Sequence, residues 1–352
     1  MNRSVDNGKL IATVLTHAWR QTASQLTIPI DQLNIVAPLL LSTGAGALGW
    51  NRVRNSALGS SPAGLELEQA YRLHSLQSAI AERSLKLVLA ILRSASTEPV
   101  LVKGWAVARL YPDAGLRPYG DFDLCVDPAQ HREAGRLINE NAKLAAQVDL
   151  HRGFSTLCEE PWEEVYSRSQ LLSLDDVKVR IPCPEDHLRI LCFHFLREGA
   201  WRPLWLCDIA IALETRPSDF DWDLFLGRNQ RRRRWFACAI ITAHQLLDAN
   251  IEGVPKVIRE NKLPSWFMGT VLKAWKVRSM QHRHAAPMHL ARRAPGLVLR
   301  NLRFHWPNPI EAMVSMNRSF NELPRFPVQL GNCALRTIEF LRRGREREGI
   351  TT

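Results

Sequence analysis

The clearest periodicity in the chain lies between Leu65 and Arg93, where Leu73, Leu76, Ile80, Leu87 and Ile91 recur at spacings of three, four and seven. That is the spacing of one face of an α-helix, and it predicts a long amphipathic helix with this stripe buried. Thr97-Glu98-Pro99 ends it. Upstream, residues 1–60 mix apolar helical stretches with turn signals and finish in the loop Gly59-Ser60-Ser61-Pro62.

Between Pro99 and Pro184 the period shortens. Val100-Leu101-Val102 reads as a buried strand, followed directly by Gly104 and a short helix over Trp105–Tyr111. Pro112, Gly115 and Pro118 mark a turn before a second strand, Asp121–Val126, and a helix around Gln130–Asn141 leads to a third near Ala146–Phe154. Val177, Val179 and Ile181 alternate with Lys178 and Arg180, predicting a fourth, half-exposed strand. After Pro184 the pattern is helical again. Leu188, Leu191, Cys192, Phe195 and Leu196 form one face behind an acidic first turn, Glu185-Asp186. Further helices are expected over Leu204–Glu214, from a cap at Asp221, and over Trp235–Leu247. Beyond Met280 the chain is Arg- and His-rich and punctuated by proline, until an amphipathic helix near Gln329–Arg343. The expected architecture is an α+β core over residues 97–184, between an N-terminal helical segment (1–96) and a C-terminal basic helical domain (185–352).

Composition narrows the class. With 352 residues, 46% hydrophobic and 23% charged, the chain can bury a large core. Its longest apolar stretch, Ile35–Trp50, is broken by Pro38, Gly44, Gly46 and Gly49, so no membrane helix is expected. The seven cysteines are scattered and never form a CxxC pair, which fits reduced thiols, and no secretory signal opens the chain. Cytoplasmic residence is the expectation. Residues 1–196 carry 20 Lys+Arg against 21 Asp+Glu, whereas residues 197–352 carry 26 against 14, so the whole net charge of +11 comes from the C-terminal half. Such an excess suits a polyanionic partner: a nucleoside triphosphate, RNA or an acidic protein.

The residues with most chemistry are Lys103-Gly104 and the run Arg117-Pro118-Tyr119-Gly120-Asp121-Phe122-Asp123-Leu124. Asp121 and Asp123, two apart on a strand, would point to one side while Phe122 and Leu124 enter the core. Paired carboxylates repel unless a cation lies between them, and hard oxygen donors suit Mg²⁺ held together with substrate phosphates. Asp149 supplies a third carboxylate, and three aspartates on neighbouring strands can hold two metals for nucleotidyl transfer. Gly104, at a strand-to-helix turn, admits phosphate to backbone N–H groups and a helix dipole, while Lys103 and Arg117 would neutralise its charge. His151 shares the face of Asp149 and is expected to hydrogen-bond it or touch substrate. His187 and His194 are expected to be structural, and Asp208 to pair with an arginine such as Arg202. Arg231 to Arg234, beside Trp235 and Phe236, reads either as a solvated helix face or as an RNA-binding surface.

The segments Leu101–Pro112 (LVKGWAVARLYP) and Gly115–Val126 (GLRPYGDFDLCV) resemble the bacterial uncharacterised nucleotidyltransferase family of the DNA polymerase β-like superfamily. Val148–His151, Pro184–Asp186, Leu191–His194 and Trp205–Ala210 continue the resemblance, which spans roughly residues 30–250. It implies a polymerase β-like mixed sheet with helices, and transfer of a nucleoside monophosphate, AMP from ATP, to a hydroxyl with release of pyrophosphate. By matching positions, Asp121, Asp123 and Asp149 would hold Mg²⁺ or Mn²⁺, Asp149 would be the general base, and Gly104 would cradle phosphate. The bulky Trp105 departs from the serine or glycine that the superfamily often places after that glycine. The acceptor is left open among a small molecule, a peptide natural product and a protein, with RNA reached through the basic half. The rival expectations are a toxin-like tRNA nucleotidyltransferase and a non-catalytic nucleotide- or partner-binding module.

Overall fold

The computed structural model describes residues 6–154, 160–276 and 306–348. Three helices, α1 (Asn7–Leu15), α2 (Ile30–Ser42) and α3 (Gly46–Val53), precede the long α4 (Pro62–Ser94). A core follows of β1 (Val100–Leu101), α5 (Trp105–Ala108), β2 (Phe122–Val126), α6 (His131–Asn139), α7 (Ala142–Ala145), β3 (Val148–Arg152), α8 (Trp162–Ser167), β4 (Gln170–Leu174) and β5 (Val177–Ile181). The chain then turns helical through α9 (Pro184–Arg197), α10 (Pro203–Glu214), α11 (Trp222–Leu226), α12 (Gln230–Leu247), α13 (Lys256–Arg259) and α14 (Phe267–Trp275), with α15 (Pro309–Ser315) and α16 (Phe326–Glu348) last. The Arg- and His-rich stretch from His282 to His305 lies outside the described residues.

The five strands form one mixed sheet in the order β3-β2-β1-β5-β4. The β2–β3 and β1–β5 pairs are parallel, and β1–β2 and β4–β5 are antiparallel. This is an α+β architecture, consistent with a nucleotidyltransferase-like core. Alternation along β2 sends Phe122, Leu124 and Val126 into a cluster with Leu85, Val88, Leu89 and Leu92 of α4 and Ala134 and Ile138 of α6. The opposite face carries Cys125, packed with Val100, Val102, Phe154, Val165 and Ile190. Asp123 lies on that second face. A larger cluster joins residues of α1–α3 to residues of α9, α10, α12 and α14, so the N- and C-terminal helices share one core beside the sheet.

Several expected elements fall in place, among them the strand at Val100, the strand ending at Ile181, and Asp221 as a helix cap accepting from the N–H groups of Asp223 and Leu224. The buried stripe of α4 does not. Leu73, Leu76, Ile80 and Leu87 are all more than half exposed, and the helix instead buries Leu67, Ala81, Leu85, Val88, Leu89 and Leu92. The helix has apolar residues on more than one face. Periodicity alone does not say which of them the sheet takes.

The thiols at Cys125, Cys183, Cys192, Cys207, Cys238 and Cys333 are free, and the first five are buried. Among the described residues, no helix is long and apolar enough to cross a membrane.

Candidate active site

The parallel pairing of β2 and β3 sets Asp123 opposite Asp149 and Cys125 opposite His151. Because side chains alternate, all four lie on one face of the sheet. There Nε2 of His151 is 3.4 Å from an oxygen of Asp123 and 3.4 Å from an oxygen of Asp149. Both separations exceed a tight N–H···O hydrogen bond. One donor atom from each of Asp123, Asp149 and His151 lies within 4.8 Å of the other two. A buried carboxylate, an exposed carboxylate and an imidazole that converge this closely fit a divalent cation, and the nitrogen donor favours a transition ion such as Mn²⁺ over Mg²⁺.

Asp123 is 6% exposed and its oxygen lies 2.6 Å from Nζ of Lys103. Burial alone would raise the pKa of Asp123. The hydrogen bond from His151 and the charge and hydrogen bond of Lys103 outweigh burial and bring it down to about 2. The carboxylate is therefore held ionised, ready to ligate. Lys103 stands just past β1 because Gly104 turns the chain at φ +56° and ψ −118°, a backbone region only glycine occupies readily. A Cβ there would also come within 3.2 Å of the carbonyl oxygen of Asp121.

Lys103, Gly104, Asp121 and Asp123 line one cavity of about 480 Å³, together with Arg117, His194, Arg202 and Trp205. Asp121 precedes β2 on an exposed loop. It faces this cavity but does not join the group formed by Asp123, Asp149 and His151. The strand begins at Phe122, so Asp121 stands just outside it, and Asp121 and Asp123 both face the cavity. Helix α5 is a single turn, so the dipole expected behind Gly104 is small.

Arg117 has a different place from the one its charge suggested. It is 7% exposed and grips Asp208, itself 1% exposed, with Nε at 3.2 Å and Nη2 at 2.8 Å. The Tyr111 hydroxyl donates to the same carboxylate at 2.8 Å. Its guanidinium is thus committed to a sealed ion pair, and the expected partner of Asp208, Arg202, is elsewhere. Nε of Arg202 donates to the Thr43 carbonyl at 2.7 Å, and its guanidinium lies 5.7 Å from the centroid of the Trp205 ring. Burial, followed by the neighbouring charge of Arg117, lowers the pKa of Arg202 to about 10. Gly44 makes the room, since a Cβ there would stand 2.3 Å from Nη2 of Arg202. A cation desolvated in this way beside a cavity favours an anionic ligand. Sequence reading missed it because the contact to Thr43 spans 159 residues.

His194 was expected to be only structural, yet it lines the cavity, packs edge-on against Trp205 at 4.4 Å, and leaves its buried Nδ1 without a partner among the described residues. His187 is buried and away from the cavity lining. The arginine run does not make one surface. It opens α12, where successive side chains point about 100° apart, and Arg232 is buried over the Phe193 ring while Arg234 is exposed. Trp235 and Phe236 are 1% and 0% exposed, so neither offers a stacking face for a base.

Asp123 links two features, since it belongs to the carboxylate–imidazole cluster and also lines the cavity that Lys103 and Arg202 border, an arrangement that suits a divalent cation beside a phosphate-bearing ligand. The model of the uncharacterised nucleotidyltransferase family matches residues 39–146 and 141–248, more than half of the chain, and the chain belongs to that family. Both matched segments contain part of the centre, Asp123 in the first and Asp149 and His151 in the second. No curated protein and no solved structure matches the chain.

Proposed function

We propose that the protein is a metal-dependent nucleotidyltransferase that moves a nucleoside monophosphate, AMP from ATP, to a hydroxyl of a small molecule, a peptide or a protein. The observation that carries this reading is the convergence of Asp123 with Asp149 and His151, Asp123 also lining the cavity that Lys103 and Arg202 border. A bound Mg²⁺ or Mn²⁺ would supply charge neutralisation for the triphosphate and acidify the attacking hydroxyl. Asp123, kept ionised by Lys103 and His151, holds the cation side of the site. Lys103 and Arg202 bring positive charge to the β- and γ-phosphates, which leave as pyrophosphate. Asp149, whose side chain is 63% exposed, accepts the proton of the acceptor hydroxyl as the hydroxyl oxygen bonds to the α-phosphorus and the bond to pyrophosphate breaks. The remaining work is positioning by a preformed cavity.

The direct test incubates the protein with Mg²⁺ or Mn²⁺ and each α-labelled NTP, with and without cell extract, beside Asp123→Asn. Label on a small molecule, a peptide or a protein that requires Asp123 supports the reading and gives the acceptor class. Label on tRNA would instead establish the tRNA-directed rival. Nucleotide binding without transfer, unchanged in Asp123→Asn, would leave a binding module.

A further inference from the structure

The face of α4 that the sequence pattern marks for burial is left bare by the rest of the described chain. Leu65, Leu73, Leu76, Ile80 and Leu87 are 48%, 53%, 61%, 55% and 53% exposed. At 100° per residue the five point into an arc of about 80°, a narrow seam along a 33-residue helix. Monomeric proteins seldom leave so continuous an apolar strip in water. The spacing is that of a coiled-coil seam, with Leu73, Ile80 and Leu87 seven apart and Leu76 between the first two.

The seam is also close to a palindrome about Leu76. With a two-fold axis at that residue, Leu65 of one copy faces Leu87 of another, Leu73 faces the Ala79–Ile80 step, and Leu76 faces itself. The two polar seam positions, Gln69 and Arg83, then face each other. Charge follows the same sense. The N-terminal part of the seam is flanked by Glu66, Glu68 being already paired with Arg72 at 2.7 Å, and the C-terminal part carries Arg83, which is exposed and has no carboxylate partner among the described residues. Antiparallel pairing sets acidic end against basic end, whereas parallel pairing would set like against like. A C2 interface needs a self-complementary patch, and this strip is one.

We infer that the protein is a homodimer, formed by antiparallel packing of α4 against α4 of a second copy with the two-fold axis at Leu76. Ile80 and Gln77 line the catalytic cavity as well, so the second copy reaches its rim. The inference stands on the exposed seam and does not depend on the reaction.

The test uses the full chain in solution. Sedimentation at micromolar concentration gives twice the 40.0 kDa chain mass, and Leu76→Glu, which sets two carboxylates face to face at the axis, weakens association at least 100-fold with helical content and a cooperative unfolding transition retained. Orientation is read by oxidative cross-linking in a Cys333→Ser background, scoring bands absent from that background alone. Leu76→Cys couples to itself, Leu87→Cys does not, and Leu65→Cys combined with Leu87→Cys does. A monomer at 100 µM, a dimer indifferent to Leu76→Glu, or efficient self-coupling of Leu87→Cys would each overturn the proposal.

Discussion

Asp123 and Asp208 are both buried and both paired with a basic side chain, yet their partners leave them differently accessible. Asp208 is closed in by two hydrogen bonds from Arg117 and one from Tyr111, which satisfies its oxygens inside the protein. Asp123 holds a single lysine amine at 2.6 Å and a distant imidazole at 3.4 Å, and it borders the cavity. A bidentate arginine with a tyrosine makes a rigid bolt. A lysine, by contrast, is a point charge on a flexible stem and can withdraw when a metal or phosphate arrives. The difference teaches that availability, rather than burial or charge, separates a carboxylate able to take a ligand from one already satisfied.

The sharpest way to break this comparison is to neutralise each carboxylate. Asp123→Asn should lower label transfer by about 10³-fold or more, while costing stability only about 2 kcal/mol, the value of holding its pKa near 2 instead of 3.8. Asp208→Ala leaves the Arg117 charge buried without a partner and should cost about 3–5 kcal/mol, read as a fall in Tm and in denaturant midpoint. If Asp208→Ala proved as stable as the wild type, the sealed pair would not be structural. A transferase indifferent to Asp123→Asn would remove the centre from the chemistry.

The sealed region should also leave a mark on the pH dependence. His187 is buried, and burial followed by the charges of Arg109 and Arg117 brings its pKa down to about 3. Its unfolded value is about 6.5. Between these values the unfolded chain binds the extra proton, so stability is whole above pH ~6.5 and falls on acidification towards pH 3 by up to about 1.4 kcal/mol per unit. His187→Leu should flatten that acid limb in urea titrations at pH 7, 6 and 5. An unchanged slope would assign the limb to other groups.

Much of the centre was legible because it is local. Strand alternation places Asp149 and His151 on one face, and the Lys103-Gly104 step needs only the residues around it. What was not legible depends on distant packing. Arg117 meets Asp208 across 91 residues, and Arg202 meets Thr43 across 159, so the sequence offered no reason to prefer either arginine for Asp208. The strand Gln170–Leu174 was missed because it sits at the sheet edge, where mostly exposed residues carry little alternation. On α4 the pattern was real but its partner was misjudged: the sheet took Leu85, Val88, Leu89 and Leu92 and left the regular stripe outside.

The smallest expected effect is the most discriminating. Lys103 competes for Asp123 with any incoming cation, so Lys103→Met should tighten Mn²⁺ binding by several-fold, measured by the loss of the free-ion signal in electron paramagnetic resonance. Label transfer should nonetheless fall, because the triphosphate loses one of its two available wall cations, the other being Arg202. The two readouts moving in opposite directions would show that Lys103 holds the carboxylate ionised before binding and then serves the phosphates. Mn²⁺ binding that weakened in Lys103→Met would mean that the lysine positions Asp123 for the metal, and the withdrawal that distinguishes it from Arg117 would have to be abandoned.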